Sequence, residues 1–185
     1  MVGLLVAMVR QAAEGSGAPS RIIMTPIITD FLARGKSPQQ AMAEIAQWRT
    51  HNSRRVLVDN HFKLMMDGAI FSGLSQMGPP GYIDGHVGQW MAPLDVTSAW
   101  AMAFWNAGYK LHAHTNGDLS AAAFIELLRK LQAQKTRPDH RFTLEHFAYS
   151  TEDQSRQLRA LGAVVSANPY YHYILSDIYS ELWLG

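Results

Sequence analysis

Lys110-Leu111-His112-Ala113-His114-Thr115-Asn116-Gly117-Asp118 and Arg141-Phe142-Thr143-Leu144-Glu145-His146 are the two stretches on which the fold turns. Each alternates in the manner of a β-strand, ends on an imidazole and is followed by a segment with helical spacing. Side chains delivered from successive strand ends are how a metal site is assembled at the mouth of a parallel barrel. A third run, His61-Phe62-Lys63-Leu64-Met65-Met66-Asp67-Gly68, lies one β-α unit upstream and carries a lysine inside a strand pattern.

Outward from these runs the chain repeats one theme. A capped helix from about Asp95 ends at Asn106-Ala107-Gly108, a strand covers Tyr109 to His114, and a helix covers Leu119 to Gln134. The strand Arg141 to His146 leads to a helix opened by Ser150 and closed by Leu161-Gly162, then a strand Ala163 to Ala167 and a helical segment Ser176 to Leu184. Upstream, a strand is expected at Phe62 to Met66. The pattern then lapses over 67–93, where Gly78-Pro79-Pro80-Gly81 and Asp84-Gly85-His86 predict a long, lid-like loop reaching residue 94. Ser37, Pro38 and Gln40 spell an N-cap, a first-turn proline and a capping box. Arg21 to Pro26 reads as a buried strand, and the opening residues read as a core-facing helix running to about Glu14 and broken at Gly15-Ser16-Gly17. Strand, polar loop, helix and glycine in rotation predict an α/β fold of about five parallel β-α units. That is too few to close an eightfold barrel of roughly 250 residues, so the chain is expected to be either an open sheet or a piece of a barrel.

Composition sets the outer bounds. At 185 residues one core is sufficient, since a domain of this size hides roughly 70% of its unfolded surface, and residues 1–185 are read as a single domain. A formal charge of +1, with basic residues scattered, gives no electrostatic case for nucleic acid. No cysteine is present, which removes disulfides and thiolate ligands and leaves only N and O donors for any metal. The apolar start lacks a basic flank and a small-residue cleavage site and is too short to span a bilayer, so no membrane partner and a cytoplasmic location are expected. No phosphate loop, dinucleotide fingerprint or Gly-x-Ser-x-Gly elbow occurs, and Trp90, Trp100 and Trp105 suit a loop contact and helix faces better than base stacking.

Alternation places His112 and His114 on one face, His114 nearer the carboxyl end where barrel sites form. Taken alone, either also fits a buried histidine satisfied by a carbonyl. Asp118 suits the cap of the following helix. Glu145 is expected opposite to His146, free to orient a neighbour or cap a helix, and His140, at the strand's start, reads as structural. Lys63 beside Phe62, Leu64 and Met65 is costly to bury as a cation. Desolvation favours the neutral amine, which can take up carbon dioxide as a carbamate. The alternative is a lysine that snorkels or pairs with a carboxylate such as Asp67.

Together, Phe62-Lys63-Leu64-Met65-Met66-Asp67-Gly68, His114-Thr115-Asn116-Gly117-Asp118 and Glu145-His146 resemble the amidohydrolase superfamily, in its family 3 (YtcJ-like) branch, which includes N-substituted formamide deformylases. Gly81-Tyr82-Ile83-Asp84-Gly85-His86, Trp90-Met91-Ala92-Pro93 and Ser166-Ala167-Asn168-Pro169 carry the resemblance further. It implies a metal-dependent (β/α)8 barrel of which this chain would be about strands three to seven, lacking both ends, with Met1 a true start or an internal methionine. It also implies that Lys63, as carbamate, with His114 and His146 hold one or two divalent ions. Imidazole plus carbamate suits zinc, though manganese, iron or cobalt fit similar donors. His112, Asp67 and His86 would shape the substrate pocket. The family's first-strand His-x-His and its proton-transferring Asp have no match here, so no catalytic residue is assigned. The implied activity is hydrolysis of non-peptide C–N bonds in small amides, formamides or cyclic amides by a metal-activated water, with this chain an incomplete part of the enzyme. A rival reading is a noncatalytic α/β binding or assembly module. Unpaired sheet edges would allow a homo-oligomer.

Overall fold

A computed structural model of the chain describes residues 2–15 and 19–182. In order, these form α1 (Val2–Gly15), β1 (Ile22–Met24), α2 (Ile28–Ala33), α3 (Pro38–Arg49), β2 (Val56–Val58), β3 (His61–Met65), α4 (Leu94–Asn106), β4 (Lys110–Thr115), α5 (Asp118–Gln134), β5 (Thr143–His146), α6 (Glu152–Ala160), β6 (Val164–Ala167) and α7 (Ser176–Leu182). A 3-10 turn at Ile70–Ser72 lies in the long loop, and a π-helical stretch at Tyr171–Leu175 leads into α7. The expected break at Ser16-Gly17 and the expected helical Trp183-Leu184 lie outside the described residues.

β3, β4, β5 and β6 pair in parallel and in chain order. β1 and β2 form a separate parallel pair. The two sheets meet where Ile27 bridges Lys63 and the Lys63 N–H donates to the Pro26 carbonyl at 2.8 Å. Only Asp59 and Asn60 separate β2 from β3, so 56–65 is one interrupted pass lying between 22–27 and β4. Five successive parallel passes therefore sit side by side in chain order, which matches the number of units read from the sequence.

The capping signals work as spelled. Ser37 and Gln40 form a reciprocal capping box on α3, and Thr151 with Gln154 does the same on α6, one residue beyond the expected Ser150. The helix expected from about Asp95 begins at Leu94, behind Pro93, but without the expected side-chain cap, and Asp118, expected as a cap, lies inside the first turn of α5, where Gly117 occupies the cap position. α2 and β2 carry weak signals: α2 has six residues and no side-chain cap, and β2 has three.

Alternation then sorts the strands' two faces. Phe62, Leu64, Leu111, Ala113 and Leu144 are wholly buried with Trp100, Phe104, Phe124 and Leu128 from the helices. Phe62 and Phe104 stack with ring centroids 3.6 Å apart. Each such side chain contributes about 1.5–3 kcal/mol on full burial. The opposite face carries the titratable groups, from His61 to Glu145. Among the described residues no helix is long and apolar enough to cross a membrane.

Candidate functional site

The register of β3, β4 and β5 puts Lys63 beside His112 and His114 beside Glu145. Cross-strand neighbours share a face, and here they form one hydrogen-bonded row. Lys63 Nζ donates to Glu145 Oε2 at 2.7 Å, and His112 Nδ1 donates to Glu145 Oε1 at 2.9 Å. With that proton on Nδ1, His112 Nε2 accepts from His61 Nδ1 at 2.7 Å. The partner of Lys63 is thus Glu145 rather than Asp67. The His112 hydrogen bond, followed by Lys63, pulls the Glu145 carboxyl down to about 2. Sequence reasoning passed over His61 as a member, although its position two residues before Lys63 signals the same face.

His146 breaks the alternation. With φ of 75° at His146 and 47° at Phe147, the chain leaves β5 through left-handed backbone, uncommon for residues with a Cβ. The His146 ring thereby meets the His114 ring edge to face at 4.5 Å between centroids. Glu145 and His146, expected on opposite faces, both serve the same side of the sheet. Burial, then His146 and Lys63, lower His114 to about 4; burial and Lys63 also lower His146. Both imidazoles are therefore neutral at pH 7. Asn116 Nδ2 donates to His114 Nε2 at 2.8 Å and to the Gly68 carbonyl at 3.0 Å, which fixes the ring's orientation.

Asp67 lies behind this pair. It is fully buried and accepts from the backbone N–H groups of Gln76 (3.0 Å), Asn116 (3.0 Å) and Gly117 (2.8 Å) and from the Ser120 hydroxyl (2.9 Å). Burial pushes its carboxyl above the usual range, against the pull of these donors. Its oxygens are spent on joining the long loop to the β4–α5 turn, so they do not line a substrate surface. Gly117 lets the loop come close: a Cβ there would sit 2.0 Å from the Gln76 carbonyl oxygen. Asp118 Oδ1 accepts from Gly78 N–H at 2.8 Å, and Met91 N–H donates to the Met66 carbonyl at 2.8 Å. The 67–93 segment is thus tied down at several points across the strand ends. His86 sits within it, Nδ1 against Asp84 and Nε2 against the Gly73 carbonyl. The Asp84 hydrogen bond, then Gly73, raises its pKa, which sets it apart from the neutral His114 and His146. His140, as expected, is structural: Nε2 donates to the Leu161 carbonyl and Nδ1 accepts from Phe142 N–H.

Solved structures provide the external comparison. A protein described as an uncharacterized metal-dependent hydrolase from Pyrococcus furiosus aligns over 97% of this chain and 35% of its own, with a TM-score of 0.68 and 14% identity. A second, described in the same words, from Pyrococcus horikoshii OT3, aligns over 98% and 34%, with a TM-score of 0.65 and 15% identity. The chain shares its fold with these proteins. It spans about a third of the length of each. No protein-family model matches the chain, and no curated protein matches its sequence.

Whether the residues suit a divalent ion can be judged from their chemistry. His114 and His146 are neutral, adjacent and supply imidazole nitrogens, donors that suit zinc and its neighbours. Lys63 lies close enough to both to depress their pKa values, but its amine is paired with Glu145. Among the described residues no group of three His, Asp or Glu side chains converges as a ligand set. His146 is one donor, His114 becomes a second only when its Nε2 is released by Asn116, and a third would have to come from the Lys63–Glu145 pair.

Proposed function

We propose that this chain is the central part, about strands three to seven, of a (β/α)8-barrel amidohydrolase of the family 3 (YtcJ-like) kind. It would hydrolyse non-peptide C–N bonds of small amides, formamides or cyclic amides. The observation that carries this reading is the pairing of the His114 and His146 rings at the carboxyl ends of two consecutive parallel strands, with Lys63 on the neighbouring strand and the same face. Strand order supports it. A singly wound barrel keeps its strands in chain order, whereas a doubly wound sheet reverses direction partway, and no reversal occurs here. The shared fold with metal-dependent hydrolases points the same way.

In this reading His114 and His146 hold the ion, probed first as zinc, and Lys63 completes the set as a carbamate. When bound, a divalent ion supplies Lewis-acid activation of water and of the substrate carbonyl. The chain's own residues do the rest. Asn116 would yield His114 Nε2 to the ion while keeping its bond to the Gly68 carbonyl, and the left-handed backbone at His146 aims its ring back across the strand ends. Carbamate formation would make an N–C bond between the Lys63 nitrogen and carbon dioxide with loss of two protons from the ammonium, one to free the amine lone pair and one from the adduct, and the new anion repels Glu145, which keeps its bond to His112. His112 forms a wall of the pocket beneath the ligands. The family's proton-transferring Asp has no counterpart assigned among these residues.

The chain alone is not expected to turn over substrate, so the direct test is amine or ammonia release by a complete protein that contains this segment, from a panel of formamides, linear amides and cyclic imides, with zinc supplied and again with a chelator. Release that stops with the chelator and in His146→Ala supports the proposal; a zinc-loaded protein inert to the whole panel counts against it. The rival reading, a noncatalytic α/β module, is favoured by the Lys63–Glu145 ion pair and by the absence of a third convergent carboxylate or imidazole among the described residues. It expects no metal to be retained.

A further inference from the structure

Arginines from two distant stretches of the sequence meet at the amino ends of β1 and β2. Arg21, Arg54 and Arg55, with Pro19 and Ser20, line one pocket of about 120 Å³. The parallel register pairs Ile22 with Val56, which sets Arg21 opposite Arg55 as the two strands begin. Their backbone is fixed. Ile22 N–H donates to the Arg55 carbonyl at 2.7 Å, and the Ser53 hydroxyl accepts from the N–H groups of Arg55 (3.3 Å) and Val56 (3.1 Å).

Like charges facing each other across a strand pair destabilise it, and a guanidinium cannot shed its charge. Among the described residues none of the three side chains has an ion pair or a hydrogen bond, and no Asp or Glu lines the pocket. Glu14, whose carboxyl feels Arg55, is spent on Arg10 at 3.5 Å and on Ser53. Exposure is not the reason, since the exposed Arg141 and Arg156 each hold a carboxylate, at 2.6 and 2.5 Å. The cost of gathering three cations is thus offset by no group among the described residues.

Size and charge narrow the guest. At about 120 Å³ the pocket is well under the roughly 300 Å³ at which small-molecule sites begin, so it takes a single group rather than a whole metabolite. Planar guanidinium forks match phosphate oxygens two at a time, and three forks offer more donors than the two oxygens of a carboxylate can use.

We propose that Arg21, Arg54 and Arg55 form a binding site for one phosphate group, either the free ion or the end of a phosphomonoester whose remainder stays in solvent. The site lies at the opposite end of the parallel passes from His114 and His146, so it is separate from the candidate metal centre and does not rest on the amidohydrolase reading. A bound dianion relieves the repulsion between Arg21 and Arg55 and ties β1 to β2, so occupancy stabilises the fold.

Inorganic phosphate is the probe, titrated into the purified chain at constant ionic strength and read by calorimetry and by its phosphorus NMR line, with glycerol 3-phosphate and acetate beside it. Phosphate should saturate one site with a Kd of about 1 mM or below and raise Tm as the site fills. Acetate should bind about tenfold more weakly or not at all. Tighter binding of glycerol 3-phosphate supports the site with an ester as its ligand, and tighter binding of phosphate supports it with the free ion. Arg21→Gln and Arg54→Gln, both at exposed positions, should each weaken phosphate about tenfold with the circular dichroism unchanged. Arg159→Gln, at an exposed position of α6, removes the same charge elsewhere and should leave binding as it is. No saturation by about 20 mM phosphate, equal affinity for acetate, or a loss in Arg159→Gln as large as in the pocket variants overturns the proposal. So does phosphate binding that neither pocket variant reduces.

Discussion

Glu145 holds the polar face together at the residue scale, giving one oxygen to Lys63 and the other to His112. Its folded pKa of about 2 lies below the ordinary 4.5. The stabilisation is therefore complete above about pH 4.5 and is lost as the pH falls towards 2. With a quarter of the side chain exposed, the effect should be about 2 kcal/mol. Urea unfolding of the chelated protein from pH 2 to 6 measures it, and Glu145→Gln should flatten that limb of the profile. His114 adds a separate limb. Neutral in the fold down to about pH 4, it leaves stability intact above its ordinary 6.5 and lowers it between 6.5 and 4, where the unfolded chain takes up the proton first; His114→Phe should remove this limb. The shared face of His112 and His114 was legible from alternation alone, whereas that Lys63 joins it needs the β3–β4 register. The Glu145 contacts were not, because they depend on cross-strand register, and neither was the position of His146, because its positive φ defeats a pattern that assumes regular strand.

At the scale of elements, the β4–α5 turn and the 67–93 loop behave as one unit clamped on Asp67. Asp67→Ala strips the partner from three backbone N–H groups inside the protein, the Ser120 hydroxyl keeping the Gly117 carbonyl, and should cost about 3–5 kcal/mol in urea unfolding, mostly from donors left unsatisfied. Gly117→Ala should be comparably damaging, since the new methyl meets the Gln76 carbonyl, a backbone atom that cannot step aside. Limited proteolysis should then cut within 67–93 in both variants and spare the wild type. The sequence showed that this stretch is a long loop, through its Gly-Pro-Pro-Gly and Asp-Gly signals. It could not show that the loop is pinned, because Asp67 acts on groups up to 53 positions away. The capping boxes of α3 and α6 were legible because they are local; α2 and β2 were missed because they are held by their neighbours and not by their own signals.

Across the whole molecule, five parallel passes run in chain order and the outermost ones are the barest. Ile23 in β1 and Val164 and Val165 in β6 are 40–55% exposed, an apolar surface beside strand edges of the kind that recruits another chain. Self-association in sedimentation velocity should rise with concentration, and Val165→Lys should reduce it while changing stability by no more than about 0.5 kcal/mol. The strand count was readable from the alternating β-α theme. The merging of β2 and β3 into one interrupted pass was not, since it needs the pairing of both flanks. The central proposal, a metal held by Lys63, His114 and His146, is tested most directly by zinc stoichiometry on the purified chain after equilibration with zinc and bicarbonate, with His114→Ala and His146→Ala in parallel. One to two zinc ions per chain in the wild type, lost in both variants, is the predicted result. No retained zinc, or retention unchanged by either substitution, would contradict it.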